Sequence, residues 1–158
     1  MNGRDQLTRM EDERYAELDA LLDGLMPPQM EEPGYTEEWS VKDLMAHLAA
    51  WCSEASHYFQ QLRMGTYRVS DEDLAAMDRD LDAINRRFYE ASRDLSLHDV
   101  KAEWHSARSQ MLLEWGYMAD TEERAMYWFM ECGPKHYDDH LPRLREWIAE
   151  LNAVGTSR

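Results

Sequence analysis

From Asp5 to Asn152 the apolar residues of this chain recur at steps of three and four, and no stretch alternates with a period of two. Steps of three and four place side chains on one face of an α-helix, whereas a half-buried strand needs strict alternation. The chain therefore reads as all-α. Only seven Gly and five Pro punctuate 158 residues, 44% of them apolar. That scarcity favours long elements with short connections, and the length suits one domain with a real core.

The periodicity divides the chain as follows. Leu7, Met10, Tyr15, Leu18, Leu22 and Leu25 form the stripe of a first helix over about 5–25, which Pro27-Pro28 should stop, with a loop following to Glu38. Ser40 and Asp43 make a capping box, with Trp39 stapling onto Leu44, for a helix ended by Gly65. Its stripe is Leu44, Leu48, Trp51, Ala55, Tyr58 and Leu62, and His47 falls within it. Ser70 with Asp73 opens a third helix reading Leu74, Met77, Leu81, Ile84, Phe88, Ala91 and Leu95; Ser96 with Asp99 opens a fourth reading Val100, Trp104, Ala107, Met111, Trp115 and Met118. Thr121 should cap a short segment holding Tyr127-Trp128-Phe129, and Gly133-Pro134 launches a last helix ending near Asn152. The expectation is a single-domain four-helix bundle over 1–153, with one additional short helix before the last, and a flexible tail over 154–158.

A net charge of −15 is expected to repel phosphate backbones and anionic lipid headgroups, so neither nucleic acid nor a membrane surface is expected as a partner. Cys52 and Cys132 show no disulfide-framework spacing, and no segment approaches a signal core or a membrane span. Both observations point to a reducing, cytoplasmic setting.

His136 and His140 lie four residues apart on the last helix, on a face continued by Leu144, Trp147 and Leu151. One turn advances about 5.4 Å, so the two imidazoles can converge on one ion. His47 points inward from another helix, and three buried imidazoles are costly unless satisfied. A divalent metal, zinc or nickel, would bind the neutral rings and leave a position open, where a bound water or thiol becomes more acidic. The rival expectation is an ordinary hydrogen-bonded core network. Cys132 would stretch a Cys132–His136–His140 set to about 12 Å on a straight helix, too long for one ion.

Trp39-Ser40-Val41-Lys42-Asp43-Leu44-Met45-Ala46-His47-Leu48-Ala49-Ala50-Trp51, followed by His136-Tyr137-Asp138-Asp139-His140-Leu141-Pro142, resembles the DinB-like superfamily, and within it the ClbS/DfsB-type branch of colibactin self-resistance proteins. The resemblance spans nearly the whole chain. It implies a four-helix bundle, often a homodimer, with a divalent metal on His47, His136 and His140. It also implies S-transferase or isomerase chemistry with a low-molecular-weight thiol cosubstrate, or disarming of an electrophilic genotoxin.

Trp51, Tyr58 and Trp128 are candidate walls of a small-molecule pocket, although an aromatic run such as Tyr127-Trp128-Phe129 serves equally as core or dimer interface. Asp43, Glu54, Asp138 and Asp139 are candidate hydrogen-bond partners for the histidines, while His57, His98 and His105 fall on polar faces. No nucleophile–base arrangement and no glycine-rich phosphate loop is visible, so no catalytic residue is named. The functional expectation is a metal-dependent enzyme that activates water or a thiol against a small electrophile. The alternative is a non-catalytic binding or self-protection protein using the same cavity.

Overall fold

In a computed structural model, which describes residues 3–156, the chain folds into α1 (Gly3–Asp23), α2 (Pro27–Glu31), α3 (Val41–Met64), α4 (Asp71–Arg79), α5 (Leu81–Ser92), α6 (Leu97–Gly116), α7 (Glu123–Cys132) and α8 (Pro134–Thr156). There is no strand among the described residues. The long helices α1, α3, α6 and α8 form the bundle, with α3 packed most extensively on α6, and α1 on α8. None of the helices is long and apolar enough to cross a membrane.

Central α3 follows from its sequence. The Ser40 hydroxyl accepts from the Asp43 N–H and the Asp43 carboxylate accepts from the Ser40 N–H, closing the capping box, while Gly65 ends the helix at φ 73°. Leu44, Leu48, Trp51, Ala55 and Tyr58 are buried as the stripe requires. So are Met45, Ala46, Ala49, Cys52 and Phe59, because α5, α6 and α7 all pack on this one helix.

Four boundaries differ from the sequence expectation. The cap of α7 is Glu122 and not Thr121, because the Glu122 carboxylate reaches forward to accept from the Arg124 N–H at 3.3 Å. Pro27 and Pro28 stop α1 but also begin α2, since a first helical turn needs no N–H from those residues, and the Gln29 side chain caps the Met26 N–H at 2.8 Å. The expected third helix is two, α4 and α5, joined at Asp80 (φ −100°, ψ 11°). Neither contains a fully buried side chain. Without burial on more than one side, nothing holds the Asp78-Arg79-Asp80 stretch in a continuous helix. Finally, α8 runs on to Thr156 rather than stopping near Asn152; Ser157 and Arg158 of the expected tail lie outside the described residues.

Beneath the bundle surface lies an ionic knot. The fully buried Glu11 carboxylate of α1 receives two hydrogen bonds from Arg108 of α6, at 2.7 and 2.8 Å, and one from the Tyr137 hydroxyl of α8 at 3.0 Å. Burial above all, then Cys52 and Glu11, raise the Tyr137 pKa, so its hydroxyl stays protonated and donates. Arg108 also lies over the Tyr15 ring, 3.4 Å from its centroid. Three bundle helices are thus tied together directly under the segment that carries His136.

Candidate metal centre

His47 comes from α3, and His136 and His140 from α8; one ring nitrogen from each of the three lies within 4.8 Å of the others. His47 Nε2 is 2.8 Å from His136 Nε2, and the His47 ring centroid is 4.7 Å from that of His136 and 5.1 Å from that of His140. Gly133 and Pro134 place the pair. The backbone breaks at Gly133 (φ −109°, ψ −109°), where a Cβ would stand 2.7 Å from the Phe129 carbonyl oxygen, and Pro134 opens α8 within one turn of His136.

Burial holds all three rings neutral. The His47 pKa falls to about 3, first through desolvation and then through His140. Desolvation, then His47 and His140, push His136 well below its ordinary value, and desolvation lowers His140 against a small opposing effect of Asp139. Neutral imidazoles that share one small volume and keep their lone pairs are the donor set of a divalent ion, and the residues fit one. The remaining ring nitrogens are unevenly supported. The His140 Nδ1 lies 3.5 Å from the Tyr35 hydroxyl, and the tautomer donating from Nδ1 to that oxygen leaves Nε2 for an ion. The Nδ1 atoms of His47 and His136 are buried without a protein partner.

Beside the histidines is a cavity of about 370 Å³, walled by Trp39, Trp51, Tyr127, Trp128 and Cys132, and roofed by Leu74, Met77 and Leu81 of α4 and α5. The Trp51 N–H donates to Asn85 of α5 at 2.9 Å, fixing that roof to α3. Trp51 and Trp128, both named from sequence, line this space. Tyr58 stands one layer behind, stacked on Trp128 with centroids 4.0 Å apart. Asp43 is occupied with the α3 cap, and Asp138 pairs with Arg14 at 2.7 Å, so neither supports a histidine. Cys132 is buried in the cavity wall and stands outside the histidine cluster. His57, His98 and His105 are exposed.

Two site residues escaped sequence reading. Tyr35 sits in an irregular loop with no periodicity to expose it, held there because the Arg143 guanidinium donates to the Gly34 and Tyr35 carbonyls. Trp39, read as a staple, also packs its ring on His47 at 4.8 Å.

A family model for the mycothiol maleylpyruvate isomerase N-terminal domain matches residues 12–150. The chain belongs to that family. Two crystal structures share the fold of this isomerase-family domain. One is an uncharacterised protein from Escherichia coli UTI89, with a TM-score of 0.79, 17% identity and 96% of each chain covered. The other is the colibactin self-resistance protein ClbS in complex with a dsDNA, with a TM-score of 0.73, 16% identity, and 93% of this chain and 96% of that one covered. No curated protein matches the sequence. The DinB-like, ClbS-like bundle expected from the two histidine motifs is thereby shown.

The same comparison corrects one expectation. The net charge argues against nucleic acid as a partner, yet ClbS, a protein of this fold, is crystallised with a duplex. Net charge sums over the whole surface, whereas a duplex is met by a local patch, so −15 is no ground for exclusion.

Proposed function

We propose that this domain is a divalent-metal enzyme in which His47, His136 and His140 hold a zinc or nickel ion and the adjoining cavity takes a small electrophile. The observation that carries the reading is the gathering of three neutral imidazoles, from two helices, within 4.8 Å. A divalent ion held there supplies Lewis acidity, making a bound water or low-molecular-weight thiol a better nucleophile near neutral pH. The protein's own part is to bind and to keep the site dry. Trp51, Trp128 and Trp39 present flat apolar faces to the substrate, and Met77 and Leu81 close over it. Tyr35, with its pKa raised to about 12 by burial, remains a neutral hydroxyl and orients His140. Buried Cys52 and Cys132 are unpaired, in keeping with a reducing cytoplasmic setting.

The test is consumption of an electrophilic probe such as 1-chloro-2,4-dinitrobenzene, with water or a thiol as nucleophile, by zinc- and nickel-loaded protein. Metal-dependent turnover abolished in His136→Ala supports the reading; equal rates with and without metal reject it. One observation favours a second reading. The 2.8 Å separation of the His47 and His136 Nε2 atoms is a good hydrogen bond in its own right. A protein that merely shelters an apolar molecule beside a metal-free histidine network would release that molecule chemically unchanged.

A further inference from the structure

The cavity beside the histidines joins aromatic walls to an acidic mouth. Asp78 of α4, Glu131 of α7 and Asp139 of α8 line it from three sides, among the faces of Trp39, Trp51, Tyr127 and Trp128. Asp78 and Asp139 are exposed at the rim, and neither has an ion-pair partner among the described residues. Lys135, which feels Asp139, pairs its ammonium with Glu131 at 2.6 Å. A second cavity of about 550 Å³ adjoins the first, sharing Trp39 and Asn85. It adds Glu37, Glu38 and Asp82, and its one basic side chain, Arg86, is paired with Glu38 at 3.2 Å.

His136 lines the floor beside these apolar rings, with its Nδ1 buried beneath the cavity surface. A cation entering here meets unpaired carboxylates at the rim and π-faces below, both of which attract it. An anion meets carboxylates on three sides and no Lys or Arg among the residues that line the cavity.

We propose that the histidine cavity selects ligands with an apolar body and a cationic amine or quaternary ammonium group, and that Asp78 and Asp139 set this preference. The proposal rests on the cavity being a ligand site, as in the function proposed above, but not on the metal. An ammonium group lodged at the rim between Asp78 and Asp139 leaves the apolar body to lie against Trp51 and Trp128. The reacting end then faces the histidines.

The experiment is calorimetric titration of the full chain with three probes sharing one body: 3-phenylpropyl-trimethylammonium, 3-phenylpropanol and 3-phenylpropionate. The cation is expected to bind roughly tenfold tighter than the alcohol. The carboxylate is to be read on metal-free protein, where it has no ion to ligate, and is expected to bind more weakly than either. Substitution of both rim acids, Asp78→Asn with Asp139→Asn, should bring the cation-to-alcohol ratio close to one with alcohol affinity unchanged. Neutralising Asp23 and Asp94, which line neither cavity, should leave the ratio as it was. His136→Ala should retain the preference, so a protein without metal would overturn the metal reading and not this one. Equal affinity for cation and alcohol, failure of both to bind, or a preference that survives the rim substitutions overturns the proposal.

Discussion

Replacing Arg108 by Leu should cost far more stability than replacing Glu11 by Leu, although the two residues make the same pair of hydrogen bonds. Glu11 is fully buried, whereas the Arg108 side chain keeps 16% of its surface and lies 3.6 Å from the exposed Asp12. Without Arg108 the Glu11 carboxylate retains only the Tyr137 hydroxyl in an apolar setting, the circumstance in which a broken buried ion pair costs about 3–5 kcal/mol. Without Glu11 the guanidinium turns to water and Asp12 and keeps its place over Tyr15. Loss of an acceptor for Tyr137 then dominates, at about 1–3 kcal/mol. Replacing both residues by apolar ones should recover part of the larger loss. Urea unfolding of the metal-free protein at pH 7, followed by far-ultraviolet circular dichroism, reads these costs as shifts in midpoint at constant slope. Equal losses in the two single variants, or a loss below about 1 kcal/mol in Arg108→Leu, would refute the assignment of the knot as a buried, mutually dependent charge pair.

Other outcomes follow from the same geometry. Tyr35→Phe should lower metal affinity by about tenfold, the modest end for loss of a ligand-orienting group because the contact is 3.5 Å, measured by competition with a chelator. Gly34→Ala should destabilise by about 1–3 kcal/mol, since Gly34 has φ 113° and its Cβ would meet the Trp147 ring at 3.2 Å; the thermal midpoint reports this. The histidines are neutral in the fold and take up protons near pH 6.5 when unfolded, so metal-free stability is complete above that pH. It falls as pH drops from about 6.5 toward 3, by about 1.4 kcal/mol per pH unit for each proton by which the unfolded chain exceeds the folded one. Urea midpoints flat across that window would contradict it.

The sequence carried the bundle because the buried residues of each long helix include a periodic apolar stripe, and Ser40, Ser70, Ser96 and Gly65 announce where helices turn on and off. It misplaced the α4–α5 joint because Met77, Leu81 and Ile84 keep helical spacing across Asp80, and spacing is blind to one broken turn. The three histidines were legible as residues on buried faces, yet their meeting depends on how α3 and α8 pack, which no local pattern encodes. Tyr35 was hidden for a related reason, its position being set by Arg143, more than a hundred residues away. The ionic knot also has a signature in the sequence. Glu11 falls between Leu7 and Leu18 in the α1 stripe, and Arg108 between Trp104 and Met111 in that of α6. A charge at a core position on each of two helices is a signal that they meet.

Metal content measured on the purified protein, and again after reconstitution with zinc or nickel, decides whether the three histidines hold an ion. About one ion per chain is expected in the native protein, lost in each of His47→Ala, His136→Ala and His140→Ala while helical content is retained. No stoichiometric ion after reconstitution, or an ion kept by all three variants, would contradict that expectation and leave the histidines as a hydrogen-bonded wall of the cavity.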